Sequence, residues 1–217
     1  MEFLVFVILI CLFLSIILLF IKRSQHVFGS SFLIFLTLEF LYHLIMFLTS
    51  NWGIFNHTFA NTYALISFPL LLYFLFRIYR CYHPERTSFT SVLAIFAVLH
   101  FAGWVLENFL FSNINSYNSY IVAADSMTVA FLSLYMLQHN IFSFPITQYR
   151  QSIIFILVSF FITYFFSSIF LVFLNFHFSF SDDFYIKLIN IVMIVSILGY
   201  FLYLLSILWL PRKMKYT

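Results

Sequence analysis

The stretch Ser31–Ser50, SFLIFLTLEFLYHLIMFLTS, is long and apolar enough to cross a bilayer as one helix, which takes about 20 residues. Near its middle it carries two ionisable side chains, Glu39 and His43. An ionisable group at membrane depth is costly and usually faces the interior of a helix bundle, where another polar group pairs with it. The stretch therefore predicts a membrane-spanning helix with one polar side that faces other helices.

The composition of the whole chain agrees with a protein that lies in lipid. Of the 217 residues, 64% are hydrophobic and only 8% are charged, and the mean hydropathy is +1.06. Soluble domains have about 25% charged residues. This composition excludes an ordinary soluble domain, and the net charge of +3 is too small to indicate a nucleic-acid surface.

Six further apolar runs have the length of membrane spans, and the loops between them are too short to hold a soluble domain. The sequence therefore predicts one all-α domain, residues 1–217, built as a bundle of seven transmembrane helices. The predicted spans are 3–21, 31–50, 62–79, 89–111, 120–137, 152–174 and 184–210.

Phenylalanine is unusually frequent, with 34 residues, whereas there are only four glycines. This bias predicts helices separated by large aromatic side chains, and it argues against helix contacts built on small residues. Pro69 lies inside the third span and removes a backbone donor, so we expect a bend there. Ser67 is close enough in sequence to help satisfy the backbone gap.

The basic residues predict the orientation of the bundle. Lysine and arginine are enriched in cytoplasmic loops. With the N-terminus outside and the C-terminus cytoplasmic, nine of the ten basic residues fall on the cytoplasmic side, and only Lys187 falls outside. The nine are Lys22, Arg23, Arg77, Arg80, Arg86, Arg150, Arg212, Lys213 and Lys215.

The acidic and histidine residues inside the spans are few and are grouped on three helices. Glu39 and His43 are four residues apart, and so share one helical face. On the fourth span, His100, Trp104 and Glu107 also share a face, and Asp125 lies on the fifth span. We expect spans two, four and five to adjoin, so that the six residues form one site, either a ligand pocket or an ion pathway.

The residue types leave several interpretations of this set open. It could be a cation or proton pathway, a polar ligand pocket, or a metal centre of two histidines and two or three carboxylates. Alternatively, the groups pair only to hold helices together. No H-E-x-x-H or G-x-S-x-G motif occurs, so we expect no catalytic residues, no bound metal and no cofactor, with an intramembrane metal-dependent hydrolase as the alternative.

A second group of residues lies at the end of the third span. Tyr73, Arg77 and Arg80 form a basic and aromatic patch on the predicted cytoplasmic side. Long basic side chains at this depth commonly extend to lipid headgroups. The alternative is a docking site for a cytoplasmic protein.

The chain resembles a group of small seven-helix membrane proteins of Bacteroidetes. The resemblance rests on Glu39, on Asn61-x-Tyr63, on Asp125-Ser126, on Tyr164-x-x-Ser167 and on Asn190. The chain departs from the pattern at Ser67, where an acidic residue would be expected. The resemblance implies a location in the bacterial inner membrane and says little about activity.

Together these observations predict a non-enzymatic, multi-pass protein of the bacterial inner membrane. We expect a sensory or accessory component, of a signalling or phage-defence system, that binds a small ligand or a partner protein. The alternative is a small transporter or an ion or proton channel that uses the buried Glu, His and Asp residues. The expected partners are the lipid bilayer and, less directly indicated, a cytoplasmic protein or a second copy of the chain, with no direct contact to nucleic acid.

Overall fold

The computed structural model describes residues 2–22, 29–51, 57–82, 88–111, 119–143, 148–175 and 181–210. It is all-helical, and seven helices are long and apolar enough to cross a membrane. Five of the predicted spans lie wholly inside an observed α-helix, the span 89–111 lies within α4 and the π-helical turn that follows it, and the last span runs one residue past its helix. The helices are α1 (Glu2–Ile21), α2 (Gly29–Asn51), α3 (His57–Tyr82), α4 (Ser88–Leu106), α5 (Ser119–Ser143), α6 (Gln148–Asn175) and α7 (Asp182–Trp209).

Six of the helices form a closed ring. Around it, α1 packs on α2, α2 on α3, α3 on α5, α5 on α6, α6 on α7, and α7 returns to α1. Helix α4 lies outside this ring, against α3 and α5, and continues as a π-helical turn over Glu107–Phe111. Because α4 is peripheral, much of its apolar surface is exposed, as expected for a helix that faces lipid.

One half of the ring is filled by stacked aromatic side chains, which we call the aromatic plug: Phe32, Phe35, Phe74, Phe160 and Tyr203. The rings of Phe32 and Phe74 are 5.0 Å apart, and the Phe160 ring lies 5.5 Å from that of Tyr203. All five side chains are at most 1% exposed. The abundance of phenylalanine thus serves helix packing in this half of the bundle, as the composition predicted.

The contact between α6 and α7 differs from the rest, because these helices are not separated by large aromatic side chains at Gly199. A Cβ atom added to Gly199 would lie 2.1 Å from Thr163 Oγ1, so α6 and α7 approach closely there. Ser159 strengthens this contact by donating a 2.8 Å hydrogen bond to the Gly199 carbonyl oxygen. The prediction that small-residue contacts are unimportant is therefore wrong at this position.

Helix α3 remains helical through Pro69. Proline has no N–H, so the carbonyl of Leu65, four residues earlier, lacks its usual helical donor. The hydroxyl of Ser67 lies 3.5 Å from the Ala64 carbonyl and does not fill this gap. Instead Nε2 of His100, on α4, lies 3.4 Å from the Leu65 oxygen.

Four of the five described lysine and arginine residues lie at one end of the bundle. Nζ of Lys22 donates hydrogen bonds to the carbonyl oxygens of Ile207 and Leu208, both at 2.6 Å, where α7 ends. A cation at a helix C-terminus is favourable because the free carbonyls carry partial negative charge. Arg77, Arg80 and Arg150 lie near helix ends on the same side, whereas Lys187 lies near the start of α7, at the opposite end.

The other basic residues used to predict orientation lie outside the described residues. They are Arg23, Arg86, Arg212, Lys213 and Lys215.

Candidate ligand cavity

A cavity of about 490 Å³ lies inside the ring, in the half away from the aromatic plug, between α2, α3, α5, α6 and α7. Pockets that hold small organic ligands span about 300–1,000 Å³. Apolar side chains such as Phe68, Leu71 and Phe170 form much of the wall. The polar groups on the wall are Glu39, Tyr42, His43, His57, Tyr63, Ser67, Asp125, Ser126, Thr163, Tyr164, Ser167, Ser196 and Tyr200.

Glu39 is held by tyrosine hydroxyls from three different helices. Tyr63 of α3 donates a 2.6 Å hydrogen bond to Oε1, and Tyr164 of α6 approaches the same oxygen at 3.5 Å. Tyr200 of α7 donates to Oε2 at 3.1 Å. Phenolic donors are well suited to a carboxylate, because hydrogen bonds to a charged acceptor are shorter and stronger than those between neutral groups. Glu39 thereby links α2 to three other helices of the ring, of which only α3 is next to it.

His43 extends the same set of hydrogen bonds. Its Nε2 lies 2.8 Å from the Tyr200 hydroxyl and 3.6 Å from Glu39 Oε2. Since Tyr200 uses its only proton on Glu39, His43 Nε2 must be the donor in its bond to the Tyr200 oxygen. His43, Tyr200 and Glu39 therefore form a continuous chain of hydrogen bonds along the cavity wall.

Asp125 lies on the α5 wall of the same cavity and pairs with His100 behind it. Nδ1 of His100 is 2.8 Å from Asp125 Oδ2, and His100 is only 2% exposed. Its other nitrogen, Nε2, faces the Leu65 carbonyl. His100 therefore connects an acid on the cavity wall to the backbone of α3 at Pro69.

The structure does not bring all six predicted site residues together. Glu39, His43 and Asp125 line one cavity, and His100 lies behind its wall, in contact with Asp125 and Phe68. Trp104 and Glu107 do not line it. The expected adjacency of α2, α4 and α5 is found only in part: α4 packs on α5, whereas α3 lies between α2 and these two helices and supplies Tyr63 to the wall.

Trp104 and Glu107 make other contacts, at the end of α4. Trp104 Nε1 donates a 2.9 Å hydrogen bond to the Asn61 carbonyl of α3. The Glu107 carboxylate accepts hydrogen bonds from the backbone N–H groups of Tyr120 and Ile121, at 3.1 and 2.8 Å. These donors lie in the first turn of α5, so Glu107 caps that helix from a neighbouring one.

The metal centre left open by the sequence finds no ligand set in the part of the chain that the structure describes. There, no three His, Cys, Asp or Glu side chains are gathered closely enough to hold a metal ion. Asp125 and His100 form a pair, and Glu39 is surrounded by phenols, which rarely coordinate metals in their protonated form.

The basic and aromatic patch on α3 is a set of neighbouring contacts along one helix. Arg77 donates a 3.0 Å hydrogen bond to the Tyr73 hydroxyl, and its guanidinium lies 5.8 Å from the centre of that ring. Arg80 lies in the same way over Phe76, at 5.6 Å. This geometry fits either lipid headgroups or a protein partner.

The sequence interpretation missed the three tyrosines that hold Glu39 as members of the site. Tyrosine in membrane proteins is typical of the two interfaces, where its hydroxyl reaches water. Tyr164 and Tyr200 lie deep inside their spans, so their hydroxyls must bond to other protein groups. That position was the signal in the sequence that could have identified them.

The residues that carry the resemblance to the Bacteroidetes group lie mostly on the cavity wall. They include Glu39, Tyr63, Asp125, Ser126, Tyr164 and Ser167. The resemblance itself remains a prediction. No protein-family model, curated protein or solved structure matches the chain.

Proposed function

We propose that this chain is a non-enzymatic multi-pass membrane protein, a sensory or accessory component that binds a small ligand in the cavity. The observation that carries the proposal is the wall itself, which is largely apolar and bears two carboxylates, Glu39 and Asp125. A largely apolar cavity with a few converging polar groups is typical of a small-molecule site. No nucleophile activated by a neighbouring base supports an enzymatic reading among the described lining residues.

The proposal places the protein in a bacterial inner membrane with its N-terminus outside and its C-terminus in the cytoplasm. The gathering of Lys22, Arg77, Arg80 and Arg150 at one end supports this orientation, since positive residues favour the cytoplasmic side. The cavity then lies in the outer half of the bundle, and the aromatic plug separates it from the cytoplasmic end. A ligand would arrive from outside.

A connection from the cavity to the cytoplasmic end supports a sensory role. A ligand group that binds Asp125 shares the carboxylate with His100, which contacts Oδ2. His100 in turn faces Leu65, at the point where Pro69 weakens the backbone bonding of α3. Helix α3 ends with Arg77 and Arg80, which form the proposed surface for lipid headgroups or a cytoplasmic partner, including a second copy of the chain.

A transporter or proton channel is the second candidate. The observation in its favour is the hydrogen-bonded chain from His43 through Tyr200 to Glu39. The aromatic plug speaks against an open channel, because Phe35 and Phe160 are packed one turn below Glu39 without a polar side chain between their rings. Ligand binding from one side is therefore the stronger proposal.

Capture of small molecules tests the proposed function. The purified protein in lipid nanodiscs is incubated with the small-molecule fraction of a bacterial extract, washed, and analysed by mass spectrometry. Ser167→Phe, on the cavity wall, should abolish capture, whereas Val172→Phe, on the exposed side of the same helix, should not. Equal capture by both variants, or no enrichment over empty nanodiscs, would contradict the proposal.

A further inference from the structure

We propose that the cavity ligand is an organic ammonium ion, an amine with an apolar body whose nitrogen donates a hydrogen bond to Asp125. This inference rests on the proposed function and adds the chemical class of the ligand. It follows from which polar groups on the wall already have partners and which do not.

The two carboxylates on the wall differ in how many of their oxygens accept a hydrogen bond. Glu39 accepts hydrogen bonds on both oxygens, from Tyr63 and Tyr200. Asp125 accepts on Oδ2 only, from His100, and no hydrogen bond to its Oδ1 occurs among the described residues. Asp125 is only 9% exposed. Because Asp125 lines the cavity, a ligand N–H or O–H there can donate to Oδ1, and a hydrogen bond to a charged group is stronger than one between neutral groups.

A neighbouring hydroxyl also lacks a partner. Ser126, which follows Asp125 and lines the cavity, is 4% exposed, and its side chain makes no hydrogen bond within the described part of the chain. A hydroxyl can accept a second hydrogen bond from the same donor group. An ammonium nitrogen carries several N–H donors, so one ligand group can serve both Asp125 and Ser126.

The charge of the cavity selects a cation. The described lining residues include Glu39 and Asp125 but no lysine or arginine. The imidazoles of His43 and His57 are the other titratable groups with basic character on the wall, and His100 lies behind Asp125. An anionic ligand would face two carboxylates at membrane depth. A neutral ligand would leave only His100 to balance the negative charge of Asp125.

The rest of the wall suits the apolar body of such an amine. Phe68 and Phe170 line it together with aliphatic residues of α3 and α6. The volume of about 490 Å³ admits a body the size of an aromatic ring system.

Paired amines and alcohols test the ligand class. Binding of propylamine, 2-phenylethylamine and tryptamine is measured by calorimetry to the protein in nanodiscs, with empty nanodiscs subtracted. Each amine is compared with the alcohol of the same skeleton: propanol, 2-phenylethanol and tryptophol. We expect at least one amine to bind roughly 10- to 100-fold more tightly than its alcohol, as for a hydrogen bond to a charged group.

Two pairs of variants locate the binding. Asp125→Asn should remove the preference for the amine, whereas Asp183→Asn, which changes an exposed carboxylate paired with Lys187, should retain it. Should Asp125→Asn fold poorly, Ser167→Phe and its control Val172→Phe report on the same cavity without altering the acid.

The outcomes separate the two proposals. If no amine binds more tightly than its alcohol, or if Asp125→Asn retains the preference, the ammonium class is wrong. If alcohols nevertheless bind and Ser167→Phe abolishes their binding, the cavity remains a ligand site and the proposed function stands. If Ser167→Phe changes neither amine binding nor alcohol binding, both proposals fail.

Discussion

His100 Nε2 lies 3.4 Å from the carbonyl oxygen of Leu65, the acceptor in α3 that Pro69 cannot serve. This distance is long for a hydrogen bond, yet the contact is partly buried, where even a weak donor is favourable for a carbonyl that lacks its helical partner. The other nitrogen of the same imidazole contacts Asp125. One side chain therefore satisfies a backbone defect and orients an acid on the cavity wall.

Restoring the backbone donor should weaken the role of His100. In Pro69→Ala the N–H of residue 69 bonds to Leu65, so His100→Asn should destabilise this background less than it destabilises the original protein. We expect a coupling free energy of about 0.5–1.5 kcal/mol, the range of polar contacts between membrane helices and of residues that share a partner. Unfolding of the four proteins in mixed micelles measures it, and strict additivity would contradict the link.

The tyrosines around Glu39 should differ in their contributions. Tyr63 donates at 2.6 Å, whereas Tyr164 lies at 3.5 Å from the same oxygen. Tyr63→Phe should therefore lower the free energy of unfolding by about 1.5–3 kcal/mol, as for a hydrogen bond to a charged group, and Tyr164→Phe by less than half of that. Tyr120→Phe, at a largely exposed tyrosine, is the control. Equal losses for Tyr63 and Tyr164 would contradict the geometry.

The helices were predictable because each signal is local. A run of about 20 apolar residues identifies a span whatever its neighbours are. The partners of a buried acid are not local: Glu39 is held by residues 24, 125 and 161 positions away along the chain. The sequence indicated that Glu39 needs partners, but the order of helices around the ring determines which side chains provide them.

Glu107 is a second residue whose partners could not be predicted from local sequence. Its spacing from His100 and Trp104 placed it on a common helical face, which suggested a shared site. The structure continues α4 as a π-helical turn at that point, which changes the spacing, and the first turn of α5 offers free N–H groups next to it. A helix end from another part of the chain can satisfy an acid as well as a histidine can.

Glu107 should therefore affect stability and leave the cavity unchanged. Glu107→Ala removes the acceptor for two backbone N–H groups of α5, and we expect a loss of about 0.5–2 kcal/mol, as for other helix caps. Binding of 2-phenylethylamine should be unchanged, in contrast to Asp125→Asn. A loss of binding without a loss of stability would instead indicate that Glu107 contributes to the ligand site.

The close contact at Gly199 predicts a suppressor pair. Gly199→Ala would place a Cβ atom 2.1 Å from Thr163 Oγ1, so we expect a loss of about 1–3 kcal/mol from overpacking. Thr163→Ala in the same protein removes the clashing oxygen and should recover part of that loss. Gly103→Ala is the contrast, because its neighbour is the flexible end of Ile121. If the double variant is less stable than Gly199→Ala alone, the clash is not the cause.

Orientation in the membrane can be tested with reporter fusions whose activity depends on the side they reach. The fusions follow Gln25, Glu85, Gln148 and Thr217 on the predicted cytoplasmic side, and Asn56, Asn115 and Ser181 on the predicted outer side. We expect each group to report its own side, because four of the five described lysine and arginine residues lie at the end of the bundle where α7 ends.

Ser181 is the most informative of these positions. It caps the start of α7, at the end of the bundle opposite to Lys22 and close to Lys187, the one basic residue that departs from the charge bias. The exposed ion pair between Lys187 and Asp183 lowers the free-energy cost of placing Lys187 on the outer side, because the carboxylate balances the charge locally. A cytoplasmic signal at Ser181 would reverse the orientation and place the ligand cavity on the cytoplasmic side. A Lys187→Gln fusion should give the same outer signal, which would show that the remaining basic residues suffice to orient the bundle.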